Sequence, residues 1–398
     1  MKGFTRREGL GLYVHLPFCE RVCPYCDFAV EAAGSVSQAV QAEYVALLLR
    51  ELDLVCEEVP ERVVGRPLET VYLGGGTPSL FEPSAIERLL VEIGKRLPGE
   101  PREVTLELNP GTGECARVGA FRAAGVTRLS VGVQSFDDLT LKRLGRAHKG
   151  DEALRGLEAC LDPPFRSVSV DLIYGAPGQT EDSARRDLER VLELGIPHVS
   201  AYALTVEPGT PFAVARDRGL LQVPDEEVVC RLEHHMLAQL SAAGYVRYEI
   251  SSFARPGHRS QHNARYWQRL DVLGIGVSAA TLLGDLRTRN LRARSTWAQA
   301  VRAGKLPWEE IERLTARDAR REALFVGLRM PEGVGRAEFA RRYGGRPEDE
   351  LGVELAELRS LGLIEDAAGA IRPTARGMRF SDEVLERFTG VDPPGGHG

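Results

Sequence analysis

Three cysteines, Cys19, Cys23 and Cys26, crowd into the run CERVCPYC. The C-X3-C-X2-C spacing lets three thiolates turn inward on one compact ion or cluster, and the motif brings no fourth protein ligand. Three thiolates on a [4Fe–4S] cube leave one iron open, and an open iron chelates the amino and carboxylate groups of S-adenosylmethionine (SAM). One electron delivered there breaks a carbon–sulfur bond and yields a 5′-deoxyadenosyl radical; that chemistry is the cofactor's, while the protein supplies position and electrostatics. The competing reading is a Cys3His zinc site with His15 as fourth ligand. Against it, His15 falls within a strand pattern, and the two separated knuckles of most zinc sites are missing. The other cysteines, Cys56, Cys115, Cys160 and Cys230, lie far apart, mostly in helical-looking stretches, where a free cysteine packs as a small hydrophobe. An odd total of seven argues for metal usage over a disulfide framework.

The elements that must position these thiols alternate. Short β-branched runs at Leu12 to His15, Val71 to Leu73, Val104 to Leu108, Arg128 to Val133, Val168 to Ile173 and Val199 to Ala203 imply six strands. Amphipathic stretches separate them, such as Val40, Tyr44, Leu47, Leu48, Leu52 and Val55, whose spacing near 3.6 marks one helical face. Strand–helix alternation predicts parallel strands in an α/β fold. Polar or glycine residues gather where the strands end: Gly74 to Thr77, Glu107, Asn109, Gln134, Asp171 and Tyr202. Parallel α/β architectures place their chemistry at that carboxyl edge, and six such units fit a partial, TIM-like (β/α)6 barrel. An open sheet with a switch-point crevice is the alternative.

The predicted organisation is a core over 1–254, a bridging segment over 255–314 that carries QHNARYW, a smaller C-terminal domain over 315–388, and a disordered Pro- and Gly-rich tail over 389–398. Helical patterns at Arg321 to Leu328 and Leu351 to Leu361, then GLIEDAAGAIRPTARG as a hairpin, make the C-terminal domain mostly helical and winged-helix-like. The net charge of −6, from 57 acids against 51 bases, supplies no basic field to gather phosphates, so no nucleic-acid partner is expected. The N-terminus lacks a secretory h-region, and no run approaches the roughly 18 apolar residues of a membrane span. The expected location is the cytoplasm.

C-X3-C-X2-C with Tyr25 just before its third cysteine resembles the signature of the radical SAM family. The segments YVHLPFCERVCPYCDF, YLGGGTPSL, ELNPG, RLSVGVQSFDDLTLKRLGRAH, VDLIYGAPGQT and YEISSFA resemble successive parts of its coproporphyrinogen-dehydrogenase-like subfamily, over roughly nine-tenths of the chain. The resemblance implies a radical SAM barrel, a cluster on Cys19, Cys23 and Cys26, and SAM contacts from Tyr13, Tyr25, Gly75, Gly76, Thr77, Glu107, Gln134, Arg146 and Asp171. Each role is chemically sensible. Glycines admit a backbone close to the methionine amino group. Glu107 and Asp171 accept from the hydroxyl or cationic parts of SAM, Gln134 donates and accepts, and Arg146 offers a carboxylate fork.

Within the subfamily, the anaerobic coproporphyrinogen oxidases carry a further cysteine two residues after the third and an extended N-terminal segment. This chain has Phe28 there and only eighteen residues before Cys19. Both departures resemble the HemW-type haem chaperones instead. HNARYW matches their H-N-X-X-Y-W segment, which implies haem as cargo, His262 as a candidate iron ligand and Tyr266 and Trp267 as aromatic faces. The alternative is that these residues cement a domain junction. Ala280 stands where the family often has histidine, which bears on that haem pocket. The expected partner is a haem-receiving respiratory protein at the membrane, and a homodimer is allowed. The competing function is a radical SAM enzyme, decarboxylating a porphyrinogen or methylating a small aromatic; a cluster-free scaffold or DNA-binding regulator is a third.

Overall fold

The computed structural model describes residues 9–162 and 165–389. Residues 390–398 of the expected tail lie outside the described residues, and Thr389 ends the last helix.

Six parallel strands form the centre: β1 (Leu10–Leu16), β2 (Leu68–Gly75), β3 (Glu103–Leu108), β4 (Arg128–Gln134), β5 (Ser167–Tyr174) and β6 (His198–Ala203), paired in chain order. All six expected strands are present, each within a few residues of its predicted bounds. Helices cross between them, the first over Gln38–Glu58, where Ser37 accepts from the Val40 N–H and starts the helix. Each strand alternates. In β4, Leu129, Val131 and Val133 are fully buried against the helical layer, while Arg128, Ser130, Gly132 and Gln134 line the barrel cavity. The apolar layer accounts for stability, and the polar one leaves a chemically usable interior.

The sheet does not stop at six. After β6 come the antiparallel strands Ser252–Ala254 and Val246–Arg247. On the other flank, Val272–Ile275 pairs in parallel with β1, and Ala280–Leu283, Leu286–Asn290 and Trp308–Arg313 follow as an antiparallel meander. Glu51 ties this meander to the first helix. Buried in the apolar layer, its carboxylate accepts from the Gly276 N–H (2.9 Å), the Trp297 indole (2.8 Å) and the Asn290 amide (2.5 Å).

From residue 316 a second core forms around Leu324, Phe339, Leu355 and Ile371. Its helices Ala316–Gly327, Arg336–Tyr343 and Glu348–Ser360 and its small sheet of Val334–Gly335, Ala370–Pro373 and Ile364–Ala367 give the winged-helix outline. Arg269 to Glu322 (2.7 Å) and the Arg329 guanidinium 4.9 Å over the Trp267 ring join this unit to the barrel.

Candidate functional site: a cysteine-capped barrel cavity

A cavity of about 420 Å³ opens at the carboxyl ends of the strands. Cys19, Cys23, Cys26 and Tyr25 form one wall; Gly75, Gly76, Glu107, Asn109, Gln134, Arg146 and Asp171 face them. Among the described residues no three His, Cys, Asp or Glu side chains converge as closely as a single ion demands. The thiols instead stand around the wall of a larger space. His15 is spent elsewhere: it shares hydrogen bonds with the Tyr13 hydroxyl (3.0 Å) and the Ala29 carbonyl (2.9 Å), leaving no free nitrogen for a metal.

Backbone zippering presents the cysteine loop. Gly76 N–H donates to the Leu16 carbonyl (2.9 Å) and Thr77 N–H to the Phe18 carbonyl (2.7 Å). A Cβ on Gly76 would meet Phe18 O at 2.7 Å, and Gly75, at φ +107°, would drive one into the His15 ring at 2.6 Å. These glycines therefore let the strand end dock on the segment that enters Cys19, a closer approach than side chains permit. Thr77 itself is buried behind this zipper and does not line the cavity; its hydroxyl points at Cys19 Sγ (3.7 Å). Tyr13 is likewise off the cavity, stacked on Tyr72 at 6.2 Å.

Burial pushes the Cys19 thiol up to about 11 and raises Cys26 as well, so both thiols keep their protons until a cation compensates. Arg146 supplies a fixed positive charge. It directs Nη1 at Cys23 Sγ (3.6 Å) and Nη2 at the Gly132 carbonyl (2.7 Å) and at Asn109, while its buried Nε has no partner. Its fork is thus largely used on the protein, with one edge atom left for a ligand. Glu107 accepts from the Tyr72 hydroxyl (2.7 Å) and the Gly75 N–H (3.1 Å); burial, reinforced by Asp171, lifts it to about 7. Asp171 accepts from Ser130 (3.2 Å) and is also raised by burial. Gln134 sits at φ +68° at an irregularity in strand pairing. A left-handed glutamine costs about 1–3 kcal/mol and is retained where structure over-determines it, as in functional walls.

The HNARYW segment forms the helix Gln261–Trp267 at the other end of the barrel, where the strands begin. Glu103, first residue of β3, accepts from the N–H groups of Gln261 (3.0 Å) and His262 (2.9 Å). His262 is fully buried, with Nδ1 on Thr70 (2.9 Å) and Nε2 on the Tyr266 hydroxyl (3.1 Å); burial lowers it to about 3, so it is neutral. Both ring nitrogens are therefore engaged, and iron ligation by His262 requires one bond to open. Tyr266 is partly exposed, and Trp267 packs under Arg329. Ala280 is exposed on the meander, away from the cavity lining.

Sequence reasoning missed Arg128, Ser130, His198, Ser200 and Asn263, all on the cavity wall. The signal was present as polar residues an even number of positions apart, on one face of otherwise apolar strands: Arg128, Ser130 and Gln134, then His198, Ser200 and Tyr202. Of the scattered cysteines, Cys115 and Cys160 are buried as expected, Cys56 is half-buried, and Cys230 is a correction: it lies exposed on the helix Glu226–Ala242, outside the apolar stripe.

Comparison with known proteins adds the following. Residues 13–191 match the Radical SAM superfamily and residues 314–380 the HemN C-terminal domain. The haem chaperone HemW of Escherichia coli (strain K12) is 37% identical over 95% of this chain and 98% of its own. That of Lactococcus lactis is 33% identical over 94% and 96%. The mitochondrial radical S-adenosyl methionine domain-containing protein 1 of Bos taurus is 36% identical over 94% and 86%. The coproporphyrinogen III oxidase HemN of E. coli superposes with a TM-score of 0.81 at 24% identity, covering 96% of this chain and 91% of that one, which establishes a shared fold.

Proposed function

The chain belongs to the radical SAM superfamily and, within it, to the family of the haem chaperone HemW, and from that premise we propose that it binds haem and delivers it to respiratory haem proteins. The observation that carries the reading is similarity to HemW proteins along nearly the whole chain. Cys19, Cys23 and Cys26 would hold a [4Fe–4S] cluster, and the donor set fits: three thiols around one wall, none bonded to another, with a guanidinium beside Cys23. Such a cluster supplies one electron to SAM when both are bound. Glu107, Gln134 and Asp171 orient SAM by accepting from its hydroxyl and ammonium groups, Arg146 and Tyr25 close the wall beside the thiols, and Gly75 and Gly76 hold the cysteine loop in register. Tyr13 and Thr77 act from behind that wall, through His15 and Cys19.

Haem contact is assigned to the face of Tyr266 and Trp267, with His262 the candidate ligand once a hydrogen bond is released. Asn263 of the same helix lines the barrel cavity, and the His262 ring packs 5.3 Å from Tyr72, the donor to Glu107, so SAM and haem would bind as neighbours across that wall. The acceptor is a haem-receiving respiratory protein at the membrane, approached by a chaperone none of whose described helices is long and apolar enough to cross one. The competing enzyme reading is weighed down by Phe28, exposed beside the cavity where the oxidases carry a cysteine.

The test is a haem titration of the anaerobically reconstituted chain, with and without SAM, followed by its Soret band, beside His262→Ala. One saturable equivalent, weakened by the substitution, is expected. No saturable binding by the wild type, together with conversion of coproporphyrinogen III under reducing conditions, would replace the chaperone by an enzyme.

A further inference from the structure

Arg128 begins β4, and strand alternation turns its side chain into the barrel, six residues and therefore roughly 20 Å along the strand from Gln134. That side chain is 3% exposed, yet Nε and Nη2 have no hydrogen-bond partner. Its nearest carboxylate is Glu103, with Oε2 3.9 Å from Nε, too far for a hydrogen bond. Glu103 is moreover committed to the N–H groups of Gln261 and His262. Glu103 offsets the charge of Arg128 and leaves Nε and Nη2 unmet. A guanidinium cannot shed its proton, and an unmet donor in a buried site is costly, so these two buried donors, on a residue that lines the cavity, gain from an acceptor that reaches them through its floor.

The surroundings narrow the acceptor. Nε and Nη2 form one edge of the guanidinium, the fork that takes a carboxylate through two parallel bonds. Ser130 and Ser200 line the same floor with hydroxyls. His198 offers no spare donor, its nitrogens being bonded to Ser169 (2.7 Å) and Tyr248 (2.8 Å). Asp171 is the acid of this floor and is turned to Ser130.

We propose that Arg128 anchors a carboxylate subsite on the floor of the barrel cavity, beneath the cysteine loop and the strand-end wall. The carboxylate is either that of a free small acid or a propionate arm of a tetrapyrrole admitted to the barrel. Only the second source rests on the haem reading.

The probe is ¹³C-propionate, titrated by NMR into the full-length, anaerobically reconstituted chain with SAM present. Saturable binding is expected, weakened about tenfold by Arg128→Lys, which keeps the charge and loses the fork, and lost in Arg128→Gln. Thermal melts establish that each variant is folded, and Arg128→Lys carries the test should Arg128→Gln fail to fold. A wild type that does not bind propionate, or a folded lysine variant that binds it equally well, overturns the subsite. Haem and its dimethyl ester separate the sources. Displacement of propionate by haem and not by the ester assigns the site to the cargo; propionate binding indifferent to both assigns it to a free small acid. A chain that binds propionate but no haem would refute the chaperone reading and leave the subsite standing.

Discussion

Gly76→Ala puts the docking of the cysteine loop to a direct test. An alanine Cβ at 76 would stand 2.7 Å from the Phe18 carbonyl oxygen, 2.8 Å from the Pro17 carbonyl carbon and 2.9 Å from the Leu16 oxygen, all backbone of the segment entering Cys19. Comfortable carbon contacts lie at about 3.5–4.0 Å, so the segment must retreat by roughly 0.7 Å or more. Retreat stretches the Gly76 to Leu16 and Thr77 to Phe18 hydrogen bonds together. Overpacking against well-placed backbone costs about 1–3 kcal/mol, which is about a 5- to 150-fold smaller population of the docked loop. Gly76 is not at positive φ, so alanine suits its backbone and the effect is contact alone. The assay is anaerobic reconstitution followed by iron release to a chelator, with the melting temperature as a control for the fold. Release at least about fivefold faster, with a nearly unchanged melt, is predicted. Iron content and release equal to wild type would refute the zipper.

Glu51→Ala strands the donors of Gly276, Asn290 and Trp297 in a fully buried pocket and should lower stability by about 3 kcal/mol or more in denaturant unfolding. Glu107 gives a pH signature. Its carboxyl is raised from 4.5 to about 7 by burial, so its contribution to folding is fully present below pH 4.5 and is lost as pH rises through about 7. The melting temperature of wild type minus that of Glu107→Gln should therefore fall across that window, and a flat difference would contradict it. SAM that donates to Glu107 favours the ionised form, so its affinity should rise through the same window in wild type and stay level in the glutamine variant, read by equilibrium dialysis of SAM.

Much of the barrel is legible in the sequence because each crossover repeats one local pattern: an apolar run, a polar strand end, an amphipathic helix. The cysteine loop is legible for the same reason, since its ligands are contiguous. Two things are not. The segment over 255–314 loses the strand–helix rhythm because it adds an antiparallel meander, whose four- to six-residue strands carry little periodicity. The helix Gln261–Trp267 reads as a histidine and two aromatic faces for haem, or as cement at a domain junction, whereas its hydrogen bonds to Thr70 and Glu103 come from strands more than 150 residues earlier. Long-range partners of that kind turn His262 inward, and nothing local announces them. Arg128 was overlooked because an arginine beginning a strand ordinarily faces water; only closure of the barrel buries it.

Haem transfer tests the central claim most directly. The anaerobically reconstituted chain, loaded with haem and supplied with SAM and a reductant, is mixed with a haem-free respiratory haem protein in a membrane preparation, and the acceptor's restored activity is followed. Restoration that depends on the cluster cysteines is predicted, with none from a Cys23→Ala chain carrying no cluster. Restoration at the rate of free haem, or equally by Cys23→Ala, would contradict it.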